Sequence, residues 1–230
     1  MEFHSHEGKD LRYVTVHPDG YDASRKYPLI VMLHGFGADM MDLANLAPSI
    51  NNDGYLYVFP NAPLVFEIRP GQTGFGWTKP LGLGEAEDIR NITVIIQDFV
   101  EEVMGIYNIV PGQVILGGFS QGGSMTYRCG LIRPDMFAAL VALSSTLPDD
   151  VEIESNLPMQ RTQPIFIGHG QKDPMISLES ALSTKGRLES AGYKPYYREY
   201  PIGHEIKQEV LDDLVPWIKS ILPPLTPLSD

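Results

Sequence analysis

Cysteine is nearly absent from this chain of 230 residues, which contains only Cys129. A single cysteine excludes an internal disulfide, and it excludes zinc sites built from several cysteines. Cys129 lies four residues after Met125 and three before Ile132, the spacing of a buried helix face. We therefore expect Cys129 to be a core residue rather than a reactive one.

Positive charge is also scarce, because 17 Lys and Arg residues stand against 29 Asp and Glu residues, for a net charge of −12. Such a surface repels nucleic acids and anionic membranes, so we predict no nucleic-acid partner and no stable membrane association. No apolar run reaches the roughly 18 residues that a membrane span needs. Residues 1–12 are polar, without the basic and apolar regions of a secretory signal, and we expect a cytoplasmic protein.

Strand-like and helix-like segments alternate along the chain, and its length suits a single domain over residues 1–230. Short apolar runs predict buried strands, and 13–16 alternates as an edge strand does. The predicted strands are 13–16, 29–33, 55–59, 114–116, 140–143, 165–167 and 196–200, and the predicted helices are 86–107, 124–133, 178–191 and 205–221. This alternation predicts an α/β fold, a mostly parallel doubly wound sheet with helices on both faces. Sites in such folds lie at the carboxyl ends of the strands.

Two segments lack the regular spacing of apolar residues that a helix or a strand shows. Residues 64–84 predict a binding loop or a short lid, because about 20 irregular residues inside a compact domain are uncommon. Phe66, Phe75 and Trp77 in this segment are predicted to cover a substrate pocket, the alternative being a loop packed by its own aromatics. Residues 222–230 are rich in proline and predict a flexible tail. Pro216 predicts a kink or break in the last helix.

A nucleophile motif stands at the centre of the chain. Residues 118–122 read GFSQG, which matches G-x-S-x-G, and they follow a predicted strand and precede a predicted helix. Small residues on both sides let the serine occupy a sharp, strained turn that lifts its hydroxyl above the sheet. We predict that Ser120 is a nucleophile and that the N–H of Gln121 binds an oxyanion.

A serine hydroxyl needs a base, and histidine is the usual one. His204 follows the last predicted strand, on the same edge of the sheet as Ser120, and is our predicted base. His169 also ends a strand and is the alternative, although we expect it to be structural. His4 and His6 lie in the polar terminus, where we expect them to be solvated.

The predicted acid is Asp173, which follows the strand 165–167 in a tight turn. Asp149 and Asp150 are the alternatives, because they follow the preceding strand. The order Ser, Asp, His along the chain is the order that the α/β-hydrolase triad takes. The second oxyanion donor in that fold comes from the loop after a central strand, and we assign it to the N–H of Phe36, with His34 bracing the loop.

Four blocks of the sequence resemble the phospholipase/carboxylesterase family, which includes the acyl-protein thioesterases. The blocks are 33–39 (LHGFGAD), 117–123 (GGFSQGG), 168–174 (GHGQKDP) and 203–204 (GH). The resemblance implies a small α/β-hydrolase without a large cap domain that acts on carboxylic esters or thioesters. It also implies the same triad and the same two oxyanion donors. Residues 66–84 differ from the acyl-protein thioesterases and favour a bacterial type of small-ester carboxylesterase.

These observations predict a serine carboxylesterase that hydrolyses short- to medium-chain esters through an acyl-enzyme, with a small-molecule ester as its substrate. We predict no cofactor and no metal, because serine, histidine and two backbone donors supply the chemistry. The sequence is compatible with a homodimer. The alternatives are an acyl-protein thioesterase or lysophospholipase with the same triad and, from another class, a non-catalytic ligand-binding module on a hydrolase scaffold. Peptidases of this fold usually carry an extra domain, for which this chain has no room.

Overall fold

The computed structural model describes residues 1–80, 86–149 and 151–226 of the chain. Its strands are β1 (Glu2–Glu7), β2 (Arg12–His17), β3 (Leu29–Leu33), β4 (Leu56–Pro60), β5 (Leu64–Arg69), β6 (Gln72–Gly76), β7 (Val114–Phe119), β8 (Phe137–Leu143), β9 (Ile165–Gly170) and β10 (Tyr196–Tyr200). Eight of them form one sheet in the order β1-β2-β4-β3-β7-β8-β9-β10, and β5 and β6 form a separate hairpin. The two contacts that involve β2 are antiparallel, and all other contacts in the large sheet are parallel.

Helices cover both faces of the large sheet. They are α1 (Met40–Ala44), α2 (Ala47–Ile50), α3 (Ala86–Ile106), α4 (Gln121–Gly130), α5 (Val151–Asn156), α6 (Leu178–Ser190) and α7 (Gln208–Ile221). One core contains side chains of α3, α4 and α6, and the other contains side chains of α1, α2 and α7. Both cores bury a continuous apolar layer against the strands, which is the main source of stability in such a fold.

Strand β3 shows why the central strands are apolar throughout. Leu29, Val31 and Leu33 belong to one core, while Ile30 and Met32 belong to the other. Successive side chains of a strand point to opposite faces, so a strand covered on both faces needs no polar position. The predicted α/β fold with helices on both faces is confirmed.

Two details of the sequence-based prediction are wrong, and of the kink or break predicted at Pro216 only the break is excluded. Residues 2–7 form the edge strand β1, so β2 is an inner strand, since it pairs with both β1 and β4. His6 is not merely solvated, because its Nε2 lies 2.9 Å from Oγ1 of Thr15, and the ring of His4 packs against His17. The last helix continues through Pro216 without a break. Burial of its apolar face compensates for the backbone hydrogen bond that proline cannot donate.

The segment predicted as an irregular loop contains regular structure. Residues 64–76 form the antiparallel β5–β6 hairpin, whose register shifts between Glu67 and Arg69. Residues 81–84 of the predicted loop lie outside the described residues, as do Asp150 and the last four residues of the predicted tail. No helix within the described ranges is long and apolar enough to cross a membrane.

Candidate active site

The turn between β7 and α4 carries Ser120 in a strained backbone conformation. Its φ of 54° and ψ of −118° lie outside the regions that non-glycine residues usually occupy. The N–H of Ser120 donates to the carbonyl of Leu143 at 2.9 Å, which anchors the turn to β8. Strain held by surrounding structure is typical of functional residues, and here the strained turn places Oγ of Ser120 within hydrogen-bonding distance of His204.

Glycines around Ser120 are required by close backbone contacts. A Cβ on Gly118 would lie 2.3 Å from the carbonyl carbon of Gly122. A Cβ on Gly122 would lie 2.0 Å from the carbonyl oxygen of Leu33 at the end of β3. The glycines thus bring the start of α4 against the end of β3. The loop 34–39 begins there, and it is called the oxyanion loop because it carries Phe36, the assigned donor.

Ser120, His204 and Asp173 form a continuous hydrogen-bonded chain, although they lie at the ends of three different strands. Nδ1 of His204 lies 2.7 Å from Oδ2 of Asp173, and Nε2 lies 3.0 Å from Oγ of Ser120. A carboxylate only accepts, so Nδ1–H must donate to Asp173. In the neutral ring Nε2 then accepts from the serine hydroxyl, which is the arrangement that general-base activation requires.

The carboxylate of Asp173 is fully buried, whereas His204 keeps 18% of its side chain exposed. Burial by itself raises the pKa of Asp173. The N–H of Ile176, the ring of His204 and the N–H of Met175 outweigh it with their hydrogen bonds, and the pKa lies below its ordinary value. Asp173 therefore stays ionised and holds His204 in one tautomer and one orientation.

The alternative base and acid have other partners. His169 is buried, and its Nε2 lies 3.0 Å from the carbonyl of Ile176, so it braces the turn that carries Asp173. Asp149 is 96% exposed and pairs with Arg187 at 2.8 Å rather than with His204. The structure therefore groups Ser120 with His204 and the buried carboxylate.

His34 braces the loop after β3. The N–H of Ala62 donates to its Nε2 at 3.0 Å, and its Nδ1–H donates to the carbonyl of Gly35 at 2.7 Å. Burial lowers the pKa of His34, since the ring is 1% exposed and its charged form would lose hydration. The neutral ring fixes the loop that contains Phe36.

The two assigned oxyanion donors are the N–H groups of Gln121, which follows Ser120 in the chain, and of Phe36, which follows Gly35. Within the part of the chain that the structure describes, neither N–H donates a hydrogen bond to a protein acceptor. Gly35 packs against the Ser120 side chain, with the position of a Cβ on Gly35 only 3.4 Å from Cβ of Ser120. Two free backbone donors beside a nucleophile can stabilise a negative oxygen.

The aromatic residues predicted to cover a substrate pocket lie in different environments. Phe66 is partly exposed, with its ring centroid 4.8 Å from that of Phe36. Phe75 is partly buried against the core. Trp77 is 1% exposed, and its indole N–H donates to the carbonyl of His34 at 2.9 Å. The prediction that Trp77 covers a pocket is therefore wrong, because its ring is an internal support of the oxyanion loop.

Three contacts at the site escaped the sequence analysis. The ring of Phe119 lies 4.7 Å from that of His204 and packs against it. The side chain of Ile68 covers Gly37, and the amide of Gln121 bonds to the backbone after β6. The G-x-S-x-G motif points to Phe119 and Gln121, but spacing alone gives no signal for their partners. Cys129 is buried in the core, as predicted, and burial raises the pKa of its thiol.

Comparison with known proteins places this chain among esterases and thioesterases. The phospholipase/carboxylesterase family model matches residues 21–222. Acyl-protein thioesterase 1 of Candida albicans is 29% identical over 212 residues, covering 84% of this chain and 91% of that protein. Acyl-protein thioesterase 1 of Gibberella zeae is 27% identical over 225 residues, covering 88% and 94%.

Solved structures show the same fold. The crystal structure of esterase PE8 superposes with a TM-score of 0.77 at 24% identity, over 93% of this chain and all of that one. The fold, the arrangement at the strand ends and the family match over most of the chain agree. The protein is therefore an ester or thioester hydrolase, and it belongs to the phospholipase/carboxylesterase family of α/β-hydrolases.

Proposed function

We propose that the protein is a serine carboxylesterase that hydrolyses short- to medium-chain carboxylic esters through an acyl-enzyme. The observation that carries the proposal is the chain of hydrogen bonds from Ser120 through His204 to the buried Asp173. The proposal is also supported by the N–H groups of Phe36 and Gln121, which have no protein acceptor in the described part of the chain and which adjoin Gly35 and Ser120.

In the proposed reaction His204 takes the proton of Ser120 as the hydroxyl oxygen attacks the ester carbonyl. The carbonyl oxygen becomes an oxyanion that accepts from the N–H groups of Phe36 and Gln121. His204 then gives its proton to the departing alcohol, which leaves an acyl group on Ser120. Water, activated by the same histidine, attacks the acyl-enzyme and releases the acid.

The preference for short to medium chains is supported by an apolar surface beside the oxyanion loop. Phe36 is 41% exposed, Ile68 is also exposed, and Phe66 of strand β5 has its ring centroid 4.8 Å from that of Phe36. Each CH₂ group that such a surface covers contributes about 0.8 kcal/mol, roughly a fourfold gain in kcat/KM when it is expressed in the transition state. The gain ends when the chain outgrows these three side chains, at about four to eight carbons.

A series of p-nitrophenyl esters from acetate to palmitate tests this proposal. We expect kcat/KM to rise over the first members, to peak in the middle and to fall for palmitate. Phe66→Ala should reduce the rise while changing acetate hydrolysis little, and Val65→Ala is the matched control, because Val65 is an exposed residue of the same strand. A wild-type enzyme that shows no ester hydrolysis would contradict the proposal.

An acyl-protein thioesterase is the second candidate function, favoured by the names of the fungal relatives that match most of the chain. A thioester places the same demands on the triad, so the discriminating property is the length of chain that the site accepts. Faster turnover of an S-palmitoyl-cysteine peptide than of p-nitrophenyl butyrate would favour this function over a small-ester carboxylesterase.

A further inference from the structure

The two oxyanion donors come from separate parts of the chain, and one short segment holds both parts. This support segment, residues 75–78, starts in β6 and continues beyond it. Its first residue bonds to the oxyanion loop, because the N–H of Gly37 donates to the carbonyl of Phe75 at 2.7 Å. The N–H of Phe75 in turn donates to the carbonyl of Ala38 at 3.0 Å.

The other end of the support segment bonds to the nucleophile turn through the side chain of Gln121. Its Oε1 accepts from the N–H of Trp77 at 2.8 Å. Its Nε2 donates to the carbonyl and to Oγ1 of Thr78 at 3.0 and 2.9 Å. Both N–H bonds of the amide are thereby used, so the side chain has one defined orientation. The buried ring of Trp77 bonds to His34 and keeps the segment from moving.

We propose that the side chain of Gln121 is a positioning group that sets the spacing between the two backbone donors of the oxyanion hole. Its hydrogen bonds link the start of α4 to the support segment, which is also hydrogen-bonded to the loop that carries Phe36. This inference rests on the proposed function, since it concerns the same oxyanion. Gln121 thus has two separate roles. Its backbone N–H is a donor to the oxyanion, and its side-chain amide links α4 to the support segment.

The expected effect of losing the side-chain amide depends on how precisely the two backbone donors of the oxyanion hole must be placed. The donors must lie within hydrogen-bonding distance of an oxygen that is negative only in the transition state. A displacement of about 1 Å costs up to about a hundredfold in rate. Ground-state binding depends little on these donors, so the loss should appear in kcat rather than in KM.

Gln121→Met is the main test, because methionine has a similar length and makes none of the three amide bonds. We expect kcat for p-nitrophenyl butyrate to fall about ten- to a hundredfold, with KM changed by less than about threefold. Gln97→Met is the matched control, since Gln97 is also partly buried and its Nε2 donates to the carbonyl of Cys129 at 3.0 Å. This control should lose a similar amount of thermal stability and keep its kcat.

Two further variants grade the effect and guard against misfolding of the first. Gln121→Glu keeps an acceptor for the N–H of Trp77, but its second carboxylate oxygen would face the carbonyl of Thr78 and its negative charge would oppose an oxyanion, so its kcat should be no higher than that of Gln121→Met. Thr78→Val removes one acceptor of the amide and should lower kcat about two- to fivefold. A trifluoromethyl ketone, which forms a tetrahedral adduct with an oxyanion, should lose affinity in proportion to kcat/KM across all these variants.

The results separate this inference from the proposed function. Wild-type protein without Ser120-dependent hydrolysis overturns both. Active wild type, with kcat of Gln121→Met and of Gln121→Glu equal to that of Gln97→Met, overturns the inference alone. A loss confined to KM also overturns it, because the amide would then contact the substrate rather than position the donors.

Discussion

Replacement of Asp173 by asparagine should reverse the tautomer of His204, and the structure shows why. Oδ1 of Asp173 accepts from the N–H groups of Met175 and Ile176 at 2.8 and 2.9 Å. In Asp173→Asn the amide oxygen must occupy this position, because an NH₂ group would face two donors. The NH₂ group then points at Nδ1 of His204, where Oδ2 stood 2.7 Å away.

An NH₂ group at this position forces Nδ1 to accept, so the proton of the neutral ring moves to Nε2. That nitrogen can no longer take the proton of Ser120, although every side chain keeps its place. The loss of kcat should be about 10⁴, the size measured for the same change in a serine protease triad. The variant should fold and bind substrate normally, so KM should change little.

The measurement is kcat for p-nitrophenyl butyrate, with Asp149→Asn as the control. Asp149 makes an exposed ion pair with Arg187, and its replacement should leave kcat within about twofold of wild type. A value for Asp173→Asn within about tenfold of wild type would refute the reasoning. Asp173 would then not set the state of the base.

Three further predictions follow from the geometry. Burial lowers the pKa of His34 below its ordinary value of 6.5, so the folded state binds fewer protons than the unfolded state. The free energy of unfolding should therefore fall as pH drops below about 6.5. Urea titrations at several pH values should show this fall, and an unfolding free energy that does not change with pH would contradict the prediction. Gly122→Ala should lower the free energy of unfolding by about 1–3 kcal/mol or more, because its Cβ would clash with Leu33. Gly186→Ala, in open space on a helix, should instead raise the free energy of unfolding by about 0.4–1 kcal/mol. Equal melting temperatures of the two variants would contradict this. Dialysis against EDTA should leave ester hydrolysis unchanged, because Ser120 needs no metal, and a loss that zinc restores would contradict it.

The central strands and the nucleophile turn could be predicted from sequence because their signals are local. Strand β3 is an unbroken apolar run, and Ser120 stands between glycines that leave room for a sharp turn. The proximity of Asp173 and His204 to Ser120 could be predicted from their places after β9 and before α7, since parallel strands end at one edge of the sheet.

The β5–β6 hairpin could not be predicted, because its glycines obscure the alternation of a strand. A Cβ on Gly74 would lie 2.2 Å from the carbonyl oxygen of Gly37, and one on Gly76 would lie 2.8 Å from the ring of Phe36. These glycines serve contacts with the oxyanion loop, far away in sequence. The amide of Gln121 likewise bonds to Trp77, 44 residues away, which no local pattern reports.

The central claim, that Ser120 forms the acyl-enzyme, is tested most directly by labelling the protein with a fluorophosphonate and mapping the modified peptide. We expect one label, on Ser120, that is absent in Ser120→Ala and retained in Ser124→Ala. Ser124 is the matched control, because its hydroxyl donates to the carbonyl of Thr146 at 2.9 Å. Ser120→Ala should also lower kcat by about 10⁶. A label on another serine, or turnover that survives Ser120→Ala, would contradict the claim.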